Sequence, residues 1–133
     1  VSHLTTISPD RCLSLLGSVP FGRVVFTNRA LPAIRPVNHI VDNGRIIIRS
    51  SLGSGITGAA GSGMVVAYEA DAIDPDSRTG WSVVVTGTAR LVDDPADLAR
   101  YEELLEPWVD GRKDCVISIP AELVTGYQLT NST

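Results

Sequence analysis

Lysine is almost missing from this chain. Lys113 stands alone among eleven basic residues, and the other ten are arginines. A phosphate site must therefore be built from guanidinium groups and backbone N–H. Cysteine is nearly as scarce. Cys12 and Cys115 are too few for a disulfide framework, and a reducing cytoplasm is the simplest setting. Each has apolar neighbours, Leu13 beside one and Val116 and Ile117 beside the other. A free cysteine there behaves as a small core residue, so no bridge is expected. The two histidines, His3 and His39, fall in no H-x-x-x-H spacing, and no C-x-x-C occurs, so no metal site is expected. No apolar run approaches the ~18 residues of a membrane span. The N-terminus has no basic region followed by an apolar core, so no signal peptide is expected. Basic charge is not in excess either. Fifteen acidic residues give a net charge of −4, which argues against a general nucleic-acid binder.

What is present is a chain of one domain's length, residues 1–133, that is 44% hydrophobic. That fraction is too high for a disordered polymer. Ser8 caps a first short helix that Pro9 opens and Gly17 ends, with Cys12, Leu13, Leu15 and Leu16 as its apolar face. Strand-like runs follow at Arg23–Phe26, Ala33–Val41 and Arg45–Ser50. Asn43-Gly44 between the last two is a strong hairpin signal, because both central residues of a type I′ turn need positive φ. Three consecutive isoleucines, Ile46–Ile48, imply burial on both faces. The glycine-rich stretch Leu52–Gly63 reads either as a linker or as a short helix with Ile56, Ala59 and Ala60 on one face. Met64–Ala70 and Trp81–Val92 read as strands around a polar loop, Ile73–Gly80. Asp94 and Pro95 open another helix that runs to about Glu106, and Pro107 stops it. Cys115–Ile119 and Leu123–Leu129 are the last strands. Hairpin-length connections and few helices predict an antiparallel sheet closing into a small barrel.

Several chemistries find little support. Gly53-Ser54-Gly55-Ile56-Thr57-Gly58 fits a dinucleotide fingerprint by spacing but lacks the βαβ setting. No G-x-S-x-G elbow is present. The acidic group Glu69, Asp71, Asp74 and Asp76 reads as a solvated strand end and loop. His39, in mid-strand, reads as a structural or interface residue. Arg49-Ser50-Ser51 followed by Gly53-Ser54-Gly55 is more suggestive. A guanidinium fork, hydroxyls and glycines that admit backbone N–H suit a phosphate. A strand end followed by a plain loop fits equally well. Pro36-Val37-Asn38-His39 is a second candidate. Proline breaks the ladder there, and Asn38 offers both a donor and an acceptor to a heterocycle edge.

Five segments occur in order: Phe21–Phe26, Pro36–Val41, Ile48–Ser50, Gly80–Val83 and Val85–Ala89. Together, from Ser8 to Leu129, they resemble the pyridoxamine 5′-phosphate oxidase-like, FMN-binding split-barrel family. The resemblance implies a mainly β fold with two or three short helices: a six-stranded antiparallel split barrel, paired as a homodimer with a flavin between subunits. It implies that Pro36, Val37, Asn38 and His39 line the isoalloxazine ring. Arg49, Ser50, Ser51 and Ser54 would reach the ribityl chain and phosphate. Trp81 and Ser82 would approach the flavin of the other subunit. Trp108 would lie near the cofactor edge or simply pack.

The family often carries a lysine in the phosphate loop, and the matching position here is Gly55. Losing a cation about 4 Å from a phosphate forfeits up to ~4 kcal/mol at an effective dielectric of ~20. Weakened FMN binding is the expectation, unless Arg35 compensates. The implied function is a flavin-dependent oxidoreductase using FMN, with no proton donor and no substrate identified. Pyridoxamine 5′-phosphate itself is not expected as substrate, since no second phosphate clamp is visible. The alternatives are an oxidoreductase using the deazaflavin coenzyme, and a non-catalytic dimer that binds flavin or haem, the latter through His39.

Overall fold

The computed structural model describes residues 1–50, 55–106 and 115–131. Strand β1 (Ser2–Thr6) leads into helix α1 (Pro9–Gly17). Strands β2 (Phe21–Asn28), β3 (Leu31–Asp42) and β4 (Arg45–Ser50) follow, then helix α2 (Gly55–Gly61). Strands β5 (Val65–Asp74), β6 (Thr79–Thr88) and β7 (Arg90–Leu91) precede helix α3 (Pro95–Leu104). Strands β8 (Cys115–Pro120) and β9 (Leu123–Asn131) complete the order. The strands form one antiparallel sheet in the order β1-β9-β6-β5-β2-β3-β4-β8-β7.

The fold is mainly β and antiparallel as expected, but among the described residues the sheet has nine strands, not the six the resemblance implied. Two local features add strands to the seven segments read from the sequence, and a third lengthens two of them. The N-terminal residues pair with β9, Leu4 opposite Leu129, and so make a strand from a polar segment. The run Trp81–Val92 breaks at Ala89, whose N–H bonds the Met64 carbonyl, leaving β7 as a separate piece on β8. The segment read as a polar loop, Ile73–Gly80, is strand at both ends and a turn only in the middle. Asp74 Oδ1 accepts from the Asp76 N–H at 3.0 Å, and Arg78 takes φ 57°, so the turn closes in four residues. Asn43 and Gly44 do have positive φ, 52° and 74°. The β2–β3 turn uses the same geometry with Arg29 and Ala30, φ 53° and 64°.

The sheet curls because its inner face is apolar from end to end. Val24, Phe26, Ile46, Ile48, Tyr68, Val83, Val85, Ile117 and Ile119 form one buried cluster with Cys12 and Leu16 of α1. Closure is tight where β6 passes the end of β8. A Cβ at Gly87 would fall on the Pro120 carbonyl oxygen, so only glycine fits. Strand β3 joins the two halves. Its first part pairs with β2 and its last part, His39–Asp42, with β4.

The three isoleucines behave as their run implied. Ile46 and Ile48 enter the main core, while Ile47 packs on the opposite face under Tyr101 and Leu105 of the α3 segment. The Gly-rich stretch contains a helix with Ile56, Ala59 and Ala60 buried. Both cysteines are free, and Cys12 is buried. No helix among the described residues is long and apolar enough to cross a membrane.

Candidate functional site

Strand β3 supplies the central residues, and alternation sends them to opposite faces. His39 points into the core. Its Nε2 lies 2.8 Å from the Leu16 carbonyl and its Nδ1 2.6 Å from the Tyr68 hydroxyl. Burial lowers its pKa, so the ring is held neutral. Nε2–H then donates to Leu16, and Nδ1 accepts the Tyr68 proton. Burial also raises the Tyr68 pKa, which keeps that proton in place. His39 thus ties α1 to β3 and β5, and its side chain presents no nitrogen to a groove. Haem ligation by His39 would break two buried hydrogen bonds.

Asn38 faces the other way. Its Nδ2 donates to the Glu106 carbonyl at 2.5 Å. Arg49 acts beside it. One guanidinium nitrogen, Nη1, donates to the carbonyls of Leu105 at 3.1 Å and Glu102 at 3.4 Å. A cation on the last carbonyls of a helix satisfies orphan acceptors and meets the negative end of the dipole. The same helix is locked at its other side. Tyr101, fully buried, donates to Asp42 at 2.5 Å and accepts from Arg45 at 3.2 Å. Arg100 pairs with Asp42 at 3.1 Å and stacks on the Tyr101 ring. The Tyr101 hydroxyl and Arg100 hold the Asp42 carboxyl below its ordinary range.

A cleft of about 680 Å³ opens between the end of α1, strand β3 and the end of α3, lined among others by Ser18, Pro20, Asn38, Ile40 and Glu106. Pro36 is exposed on the margin of the outer sheet face, in register with Arg23. Ser50 is buried at the end of β4, where Thr57 of α2 donates to its hydroxyl at 3.5 Å. Trp81 packs against the main core and Ser82 lies on the outer face, so the two do not form one patch. Ser51, Ser54 and Trp108 lie outside the described residues.

The structure also explains Gly55. A Cβ there would sit 2.8 Å from a Phe26 ring carbon and 3.2 Å from the side-chain amide nitrogen of Asn28. Packing of α2 on β2 therefore excludes a side chain, a cation included, at this position. Arg35 sits on the same face of the β2–β3 hairpin as Phe26, opposite Val24. It is exposed, and its one hydrogen bond among the described residues is to the carbonyl of Ile34, at 2.9 Å. Among the described residues no group of three His, Cys, Asp or Glu is placed to hold a metal.

Sequence reading missed the clasp of Asp42, Arg45, Arg100 and Tyr101, which joins residues some sixty positions apart. The one available signal was Tyr101 itself, on the apolar face of α3.

Comparison with known families agrees with this architecture. The pyridoxamine 5′-phosphate oxidase family profile matches residues 8–129. The chain belongs to that family. A Mycobacterium tuberculosis relative, the uncharacterized protein Rv0080, is 55% identical over 131 residues, covering 96% of this chain and 86% of that one. Among solved structures, the FAD binding protein of Mycobacterium smegmatis is 30% identical with a TM-score of 0.73, covering 95% of this chain and 98% of that one. A provisionally named pyridoxamine 5′-phosphate oxidase of Corynebacterium glutamicum is 31% identical with a TM-score of 0.79, covering 98% and 96%. Family membership accounts for the curled antiparallel sheet and for a β3 strand shared between its halves.

Proposed function

We propose that this chain binds a flavin nucleotide as a homodimer and that the flavin carries an oxidoreductase reaction. The observation that carries the reading is the outer sheet face. Register places Ile34, Val25, Ala67, Thr86 and Leu123 in one row across five strands. Ile34 and Leu123 are 58% and 59% exposed, and Val65, Ile73 and Tyr127 are exposed nearby. Five strands ~4.8 Å apart and about eight residues long give roughly 500 Å² of flat area, before side-chain relief. That approaches the ~800 Å² each partner buries in a stable pair, and the exposed apolar residues among its polar positions are what a partner would cover. A second copy covering it makes an isologous interface.

Phe21, Pro36 and Asn38 lie at the margin of that face, beside the cleft. This edge suits the ring of a flavin, with the backbone of Pro36–His39 supplying polar contacts. For the phosphate, Arg35 is the candidate guanidinium: it is exposed and lies on the same sheet face as Ser50 and α2, where it would stand in for the lysine that Gly55 cannot be. Arg49 lies on the opposite face, engaged with the α3 carbonyls. When bound, flavin supplies hydride or electron transfer. The protein's part is to hold the phosphate, orient the ring and exclude water with the second subunit. FMN is the primary reading, because an exposed guanidinium suits a single terminal phosphate. FAD is the second reading, favoured by the name of the M. smegmatis neighbour. The deazaflavin coenzyme needs further cations for its acidic tail, and the described residues offer few nearby.

The test is a visible absorbance spectrum of purified protein, with mass analysis of the released small molecule and titration by FMN, FAD and the deazaflavin. FMN uptake that weakens at least tenfold in Arg35→Ala is expected. Colourless protein that takes up none of the three contradicts the proposal.

A further inference from the structure

The outer face carries one charged group amid its apolar rows. Arg23 of β2 lies opposite Glu69 of β5, with Nη1 3.1 Å from the Glu69 carboxylate and 3.7 Å from that of Asp71. Two carboxylates thus share one guanidinium. Among the described residues no second cation lies within ion-pair distance of them. Across β6 the facing residues are Val84 and Ser82, across β3 Pro36 stands beyond Arg23, and on β9 the row ends in Thr125 and Tyr127. The triplet has a net charge of −1 with both acids ionised. Glu69 is already only 27% exposed.

Covering this face with a copy of itself brings two such triplets out of water. Twofold symmetry adds Arg23 and acids in equal ratio, so the two triplets do not neutralise one another. Removing an uncompensated carboxylate from water costs several kcal/mol, and the group takes a proton instead. We propose that a second copy seating on this face draws in one proton per subunit, shared between Glu69 and Asp71, so that the dimer tightens as solution is acidified. This rests on the homodimer reading above.

The free chain is already poised for it. Burial, followed by hydrogen bonding and repulsion from Asp71, pushes the Glu69 pKa up to about 7. Further desolvation raises it more. The sign follows: the dimer binds the proton more tightly than the monomer, so association is strongest below the monomer's value and weakens as pH rises from there through the dimer's pKa. Linkage limits the change to about tenfold in dissociation constant per proton per pH unit.

The experiment is sedimentation equilibrium of the whole chain from pH 6 to pH 8.5, with Glu69→Gln and Asp71→Asn in parallel. The expected result is a dissociation constant at least tenfold weaker at the alkaline end in the parent chain. A flat profile is expected in Glu69→Gln, at the parent's acid-side affinity, with a reduced slope in Asp71→Asn. A dimer with the same constant throughout, or a slope unchanged in both variants, overturns the proton linkage and leaves the dimer standing. A monomer at every pH overturns both.

Discussion

The two flanks of this curled sheet are finished in different ways. On the β4–β8 flank the chain supplies its own cover. Ile47 lies fully buried under Tyr101 and Leu105, and α3 is pinned by Asp42, Arg45, Asn38 and Arg49. On the β2–β5–β6–β9 flank no described segment lies over Ile34, Val65 or Leu123, which remain exposed. Both flanks are strands of similar composition, so apolar content alone does not decide which is sealed internally. The polar clasp decides: α3 is held where side chains can satisfy its terminal carbonyls.

The comparison breaks most severely at the clasp. Tyr101→Ala removes a fully buried ring and three hydrogen-bonded partners, and should cost ~3–5 kcal/mol of stability by denaturant unfolding. Gly55→Lys tests the sealed interior from another side. It should cost ~1–3 kcal/mol through overpacking on Phe26, without improving flavin affinity. A tighter flavin complex would mean that packing does not exclude the cation.

Tyr101→Phe is milder, at ~1 kcal/mol, because the ring stays and only the hydroxyl's bonds are lost. It also has a pH signature. Asp42 has a depressed pKa in the folded state, so its stabilisation is present above the unfolded value near ~4 and is lost on acidification below it. Unfolding measured between neutral pH and strong acid should show less loss of stability in Tyr101→Phe than in the parent. Ala30→Gly relieves a left-handed alanine in the β2–β3 turn and should stabilise by ~0.5–1 kcal/mol. The smallest effect on unfolding belongs to the open flank. Ile34→Glu should change unfolding of the single chain by less than ~0.5 kcal/mol while abolishing self-association.

Much of the fold was legible because its signals were local. Ser8 caps α1 by accepting from the Arg11 N–H, Asp94 caps α3 in the same way, and Asn43-Gly44 turns as its residues require. The turn at Arg29-Ala30 was not legible, since neither residue advertises positive φ. Strand β1 was not legible either, because its partner is at the far end of the chain. The site was legible as a region more than as a set of side chains. Asn38 and Arg49 were singled out as cofactor contacts, whereas in the single chain they hold helix carbonyls. That role depends on where α3 ends, which no residue near either position encodes. His39 read as structural from its mid-strand position and, through the resemblance, as lining the flavin; in the single chain its side chain makes two buried hydrogen bonds. The acids Glu69 and Asp71 read as solvated, but the strand extends through them and sets them in mid-face.

The most direct measurement is sedimentation velocity of the purified chain loaded with flavin, followed both in the protein band and in the visible band of the cofactor. The account predicts one boundary at twice the chain mass, with the flavin moving in it. A boundary at the mass of one chain, or flavin left behind in the free fraction, would contradict it.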